Sequence, residues 1–388
     1  MSKTKSIDSR IFNTREVHGY QPLFLGEDSG LFDSINKPYP AIFDLYMKLK
    51  VMDWSHTDFP FRICNEQFKS CSKTDYDKMI KTIAFQWEAD SVAAKHIYPI
   101  AAPFLSNAEL QVAWQRVTEN ESLHSLSYSE IVRSSFDDPS SVKNEIMSIK
   151  ESQNRLSHIA KLFEEAYYVS HMLALGQISK NDPKAYRAIF MFVVALYCLE
   201  RGQFPSSFAV SFAYGMKGMF MPIAHAVQKI QADEFQIHQV LDRTILQIEM
   251  ATPRGRDFFE SAKEEIYHVI HEVLDAELES NKYVFQDGQP AAGFLYKDQV
   301  DAFAKANFSP IFETFRFEDP FKDIKNPLPA ELLKWFNLNE WQISPQEQRG
   351  GNYLRCFVTR DADRVEPLSL GQRQVPSKAF VRPLETLS

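Results

Sequence analysis

Ala188-Ile-Phe-Met-Phe-Val-Val-Ala-Leu-Tyr-Cys-Leu199 is an unbroken apolar run of 12 residues that ends at an acid, Glu200. Asp182-Pro183 stands just upstream, a capping side chain followed by the residue best suited to the first helical position. A helix that is apolar all round is buried all round, and the run falls short of the roughly 20 apolar residues that a bilayer requires. The stretch therefore predicts a central core helix surrounded by others. Glu200, at its end, is a carboxylate where burial is costly unless something compensates it.

Working outward, the chain from about residue 72 to 284 reads as helix after helix, with little of the alternation that marks strands. Capping boxes are predicted at Ser72 with Asp75, Ser106 with Glu109 and, one residue looser, Ser141 with Glu145. Pro205 predicts a kink or break just after Phe204. Further helices are expected over 219–250, 253–284 and near 297–307, with Asp287-Gly-Gln-Pro290 closing the main block. Pro310, Pro320, Pro327 and Pro329 then punctuate a less regular region, and from about Gln342 the sequence is polar and irregular. The expected organisation is an all-α bundle: an N-terminal arm over 1–40, a helical domain over 41–341 and a flexible C-terminal tail over 342–388.

Composition narrows the class. With 44% hydrophobic and 24% charged residues the chain is globular. Its 31 phenylalanines and 15 tyrosines against 13 glycines suggest an aromatic core with few sharp turns. A net charge of −8 without a basic block disfavours a nucleic-acid partner. Cys64, Cys71, Cys198 and Cys356 show no paired metal spacing. The opening MSKTKSIDSR has no apolar core of the signal-peptide kind. A soluble, cytoplasmic protein that neither binds nucleic acid nor enters a membrane is the expectation.

Three histidines follow an acid by three residues, where chance alone gives about one: His56 after Asp53, His124 after Glu121 and His268 after Glu265. The first lies beside Pro60 in a loop, and the last, with Glu264 and His271, reads as a solvated helix face. Glu121 and His124 differ in their company. Tyr128 shares their helical face, Asp90 interrupts an apolar stretch of the preceding helix, and Glu200 ends the core run. Asp233-Glu234 and His238 lie on a fourth helix. One inward carboxylate from each of four helices plus two histidines is the donor set of a carboxylate-bridged dimetal site. Oxygen and imidazole donors without thiolate suit iron or manganese.

At these residues the sequence resembles the small, radical-generating subunit of class I ribonucleotide reductase. Glu121-Ser-Leu-His124-Ser-Leu-Ser-Tyr128 is similar to the family's segment of two ligands and radical tyrosine. Asp90, within Gln86-Trp-Glu-Ala-Asp90, resembles the first ligand. Glu200, followed by Phe204 and Phe208 at intervals of four, resembles the fourth. Asp233-Glu234 resembles an Asp-Glu pair in which Glu234 binds metal and Asp233 orients its neighbours, with His238 as the last ligand. Trp54 and Tyr353 stand where the family has its radical-transfer tryptophan and tail tyrosine.

The resemblance implies a ferritin-like bundle, a homodimer and a large-subunit partner. It also implies two metal ions per chain that activate dioxygen to generate a radical on Tyr128. Phe204, Phe208 and Ile230 would keep that radical dry, and a line from His124 through Asp233 to Trp54 would carry the electron. Iron is the first expectation for the pair, with manganese or a mixed manganese–iron pair as the alternatives. A di-iron oxygenase or oxidase on the same scaffold is the other reading of the donor set, and a metal-free helical interaction protein a third.

Two departures from the family pattern carry expectations of their own. His238 follows Glu234 by four residues instead of three, which predicts a single π-turn with His238 still facing the metal. Residues 354–388 carry six basic and four acidic side chains and end Thr386-Leu387-Ser388, unlike the acidic tails with apolar ends usual in the family.

Overall fold

Side-chain caps set where the helices begin. The computed structural model describes residues 22–27, 32, 36–325 and 327–337. Ser72 accepts the Asp75 amide at the start of α3 (Lys73–Ala101), Asn107 that of Leu110 at α4 (Ala108–Ser135), and Asp138 that of Ser141 at α5 (Pro139–Met147). Asp182 caps α7 (Pro183–Cys198) and Thr252 caps α11 (Pro253–Val284). Ser72 caps α3 as expected but without the reciprocal half of a box, since the Asp75 carboxylate accepts the Ser72 hydroxyl; the Asp182-Pro183 start stands as expected.

The other two expected boxes do not form. The Ser106 hydroxyl instead donates to the Pro22 carbonyl and accepts the Gly26 amide, while Glu109 accepts the amide of Tyr39. Both tie the segment before α1 (Pro40–Val51) to the bundle. Ser141 lies inside α5, because Pro139 suits a first helical position and moves the cap back to Asp138.

The remaining helices are α2 (Cys64–Ser70), α6 (Lys150–Ala174), α8 (Phe204–Met216), α9 (Met221–Asp233), α10 (Gln239–Ala251), α12 (Lys297–Thr314) and α13 (Ala330–Phe336). Among the described residues, β pairing is limited to the isolated bridges Phe24–Leu105 and Ala291–Leu295. The fold is all-α. α3 lies along α4, α6 covers α7 and α3, α11 lies against α6, and α12 against α8.

Three details differ from the sequence reading. Pro205 does not break its helix. α7 and α8 run together as one helix, Pro183–Met216, through a π-turn over Leu199–Gln203 in which the Phe204 amide reaches back to the Leu199 carbonyl. The register has already slipped where the missing proline donor falls, so Pro205 sits in the first turn of α8 as it would at any helix start. The expected helix over 219–250 is α9 and α10 joined by a second π-turn, Glu234–His238. α12 runs past Asn307 and carries Pro310 inside it, where Thr314 donates its hydroxyl to the proline carbonyl.

The joined helix is longer than the apolar run that announced it. By length and composition Pro183–Met216 could cross a membrane, but 94% of its most apolar window is buried inside the fold. It is the central helix of the core.

Gly202 marks how tightly the first π-turn is packed. A Cβ there would lie 2.6 Å from the Phe308 ring, itself fully buried. Gly202→Ala should therefore destabilise the protein by about 1–3 kcal/mol, the usual range for overpacking a core. The check is the midpoint of denaturant unfolding, and a midpoint equal to wild type would show that Phe308 can yield.

Candidate metal centre

Four helices each aim acids into one volume between them. Asp90 comes from the middle of α3, Glu121 and His124 from one face of α4, and Glu200 from the π-turn between α7 and α8. Glu234 and His238 form the two ends of the π-turn between α9 and α10. All six are buried, with at most 2% of any side chain's residue surface exposed.

They fall into two overlapping sets. Asp90, Glu121 and His124 make one, and Glu121, Glu200, Glu234 and His238 the other; within each, one donor atom per residue lies within 4.8 Å of all the rest. Glu121 belongs to both. Among the expected ligands, none is left out.

The contacts are close but aimed wrongly for hydrogen bonds. His238 Nδ1 lies 2.8 Å from Glu234 Oε2 and 2.9 Å from Glu121 Oε1, and His124 Nδ1 lies 3.0 Å from Glu234 Oε1. Yet both Nδ1 atoms, and both oxygens of Asp90, Glu121, Glu200 and Glu234, have no hydrogen-bond partner. Buried polar atoms are rarely left so. Lone pairs that converge on common points without pairing are what cations require. The residues therefore fit a pair of metal ions, with Glu121 the residue common to both donor sets.

The π-turn at Glu234–His238 is the expected one. The Gln239 amide donates to the Glu234 carbonyl, five residues back, so the additional residue is absorbed within the turn and His238 stays inside. The first π-turn, which carries Glu200, was not foreseen. Its Gln203 carbonyl accepts Arg155 Nη2 at 2.6 Å, and Gln203 Nε2 donates back to the Arg155 carbonyl at 2.8 Å. Arg155 also forms a two-pronged pair with Glu277, at 2.6 and 2.7 Å, and its guanidinium lies 3.3 Å from the centre of the Phe85 ring. A lone arginine in the apolar stripe of α6 was the only sequence signal for this clasp.

Outside the donor cluster, one oxygen gathers three donors. Asp233 Oδ2 accepts Trp54 Nε1 at 2.8 Å, His124 Nε2 at 3.1 Å and Asn120 Nδ2 at 3.1 Å. The Trp54 ring also stacks on His124, with centroids 6.0 Å apart. Asn120 was missed by the sequence reading, although its place four residues before His124 puts it on the same face. So was Asp242, a buried acid one turn beyond His238 whose pKa is pushed well above the usual range by burial.

Tyr128 is fully buried and its hydroxyl has no partner. Phe204, Phe208 and Ile230 are fully buried too, and Phe204 stacks on Phe208 with centroids 5.5 Å apart. The other acid–histidine pairs stay apart from the centre. Asp53 pairs with Arg116, Glu265 with Arg187, and the His271 ring packs against Phe312. Tyr353 lies outside the described residues, as does the tail over 342–388.

A model of the family "Ribonucleotide reductase, small chain" matches residues 32–327. The chain belongs to that family. Among its relatives, the ribonucleoside-diphosphate reductase subunit beta of Buchnera aphidicola subsp. Baizongia pistaciae is 23% identical over 348 residues, covering 86% of this chain and 92% of that one. A ribonucleotide reductase R2 subunit from Clostridium botulinum shares the fold with a TM-score of 0.73 at 19% identity, covering 84% of this chain and 98% of its own. An R2-like ligand-binding oxidase with a Mn/Fe cofactor shares it more loosely, at TM-score 0.55 and 17% identity, over 72% of this chain and 94% of its own. The small chain is thus a ferritin-like dimetal subunit of class I ribonucleotide reductase, an oxidoreductase that works with a large subunit.

The metal-free cluster balances its charge with protons. Burial, then the neighbouring Glu121, holds Asp90 well above the usual carboxylate range, and burial, then Glu234, does the same to Glu200. Burial opposes charge on the histidines. For His238 the Glu234 and Glu121 carboxylates outweigh it and raise the pKa to about 10, and for His124 contacts with Asp233, Glu121 and Glu234 raise it well above the ordinary value. Ligation needs these donors bare, so uptake of each ion displaces protons. Affinity for Mn(II) should accordingly rise with pH from about 6 to 8, with protons released on binding. Calorimetry in buffers of different ionisation enthalpy would measure this, and pH-independent uptake without proton release would contradict it.

Proposed function

We propose that the small chain stores its radical on Tyr128 and passes it outward through Trp54. Asp90 and His124 would hold one metal ion, Glu200, Glu234 and His238 the other, and Glu121 both. The donor set suits iron, with manganese or a mixed pair as the competing occupants. When bound, the metal pair supplies the oxidising chemistry with dioxygen that removes an electron and a proton from the phenol.

The observation that carries this reading is the hydrogen-bonded line Trp54–Asp233–His124, which joins the donor cluster to a tryptophan on the segment between α1 and α2. A ligand-binding oxidase has no need of such a line. Asp233 holds the two rings at fixed positions, since its single oxygen accepts both. Burial, with Asp90, Glu234 and Glu121 adding to it, raises the Tyr128 pKa well above the usual phenol value. The phenol therefore keeps its proton until it is oxidised, and proton and electron leave together. Phe204, Phe208 and Ile230 exclude water from this part of the core, which prolongs the life of a phenoxyl radical.

Tyr353 would continue the transfer to the large subunit, with residues 342–388 as the docking segment and a homodimer as the working form. The role of Tyr353 rests on its resemblance to the family's tail tyrosine, and the docking segment and homodimer rest on membership of the family. A cytoplasmic location is part of the same reading.

Tyr128→Phe keeps the ring and removes the oxidisable hydroxyl. The variant should bind two metal ions yet show no tyrosyl signal in electron paramagnetic resonance and no nucleotide reduction with the large subunit. A wild-type tyrosyl signal in that variant would remove Tyr128 from the mechanism.

A further inference from the structure

Asn120 lies immediately before Glu121, is buried, and touches both halves of the centre. Its Nδ2 lies 3.1 Å from Asp233 Oδ2, and its Oδ1 lies 2.9 Å from His238 Nε2. We propose that Asn120 is a positioning residue that fixes the ring of His238 at the second metal position and joins both histidines to one carboxylate oxygen. This rests on the dimetal reading above.

The donor and acceptor roles follow from elimination. A carboxylate oxygen only accepts, so the group facing Asp233 is the amide nitrogen, and the group facing His238 is the amide oxygen. An amide oxygen also only accepts, so His238 Nε2 must carry a hydrogen. In the neutral ring that ligation requires, this leaves the Nδ1 lone pair for metal, and Nδ1 is the atom turned toward Glu121 and Glu234. His124 is arranged in the same sense, with Nε2 on Asp233 and Nδ1 toward the cluster. Both rings thus present the same nitrogen to metal.

The two partners are unequal. His124 donates to a carboxylate directly, whereas His238 donates to a neutral amide that passes the contact on to the same oxygen. A side chain serving both needs one acceptor and one donor at opposite ends of a short planar group. Serine is too short to span the gap, and leucine, of similar size, offers neither. Because both side chains are buried, an unpaired Nε2–H at His238 is costly. Outer partners of metal-bound histidine typically change metal affinity by about 10–100-fold.

The test is Mn(II) titration of the full-length metal-free protein under anaerobic conditions, counting free ion by electron paramagnetic resonance. The comparison is wild type against Asn120→Leu, Asn120→Ser and Asn120→Asp, with crystal structures of the loaded proteins. Wild type should take two ions per chain. Asn120→Leu and Asn120→Ser should weaken only the ion next to His238, by about 10–100-fold, with the ion beside Asp90 and His124 retained. Asn120→Asp, whose buried carboxyl beside Asp233 keeps its proton, retains an acceptor for His238 and a donor for Asp233 and should restore the second ion. Full two-ion affinity in the leucine and serine variants would overturn the proposal. So would equal loss of both ions, or an aspartate variant as defective as the leucine one. Wild type failing to take two ions would overturn the dimetal reading itself, and the role of Asn120 with it.

Discussion

Four carboxylates and two imidazoles share one buried volume, and the rest of the bundle is built around their cost. Placing an ionised carboxylate in a protein interior costs several kcal/mol even after relaxation, and four side by side repel one another as well. The metal-free centre meets this by keeping protons on its imidazoles and on two of its acids. Cations would replace those protons one set for another. What holds the donors in place meanwhile is the surrounding packing: a core of large buried rings and the outward-facing bonds of Asp233, Asn120 and Arg155.

Regular α-helices offer inward positions only every three or four residues. Two of the four donor helices depart from regularity where their donors lie, at Leu199–Gln203 and Glu234–His238. Each wide turn shifts the downstream side chains around the axis and leaves the backbone bonding locally changed. In the first, the changed carbonyl of Gln203 is taken by Arg155, whose charge is in turn matched by Glu277. A distortion on one helix is therefore held by side chains from two others. Gly202 lies in the same turn because Phe308 occupies the space a Cβ would need.

Much of this was legible in the sequence, for a physical reason. Acids against apolar helical stretches are rare enough that Asp90 and Glu200 stand out, while Glu121 was legible through its spacing to His124 and Tyr128, and Glu234 through its pairing with Asp233 ahead of His238. The π-turn at Glu234–His238 could be read because an odd spacing between two donors demanded it. The one at Leu199–Gln203 could not, since a single donor sets no spacing and Pro205 drew attention to a break instead. Asn120 and Arg155 were missed for a different reason. A buried polar residue declares itself only through partners distant in the chain, and the partners of Asn120 lie on α9 and in the second π-turn. Caps failed where two candidates competed, as when Pro139 favoured Asp138 over Ser141.

The central helix also bears on how the chain is made. As it leaves the ribosome, Pro183–Met216 is an apolar segment long enough to be mistaken for one bound for a bilayer. Its partners do not all exist at that moment. α3 and α6, which pack against it, have already been synthesised, whereas α9 to α13 have not. The growing chain can cover one side of the segment at once but leaves the other bare until the later helices emerge. The order of the helices along the sequence thus places a sticky intermediate at about mid-synthesis, the interval in which this subunit is most exposed to aggregation and most in need of a chaperone.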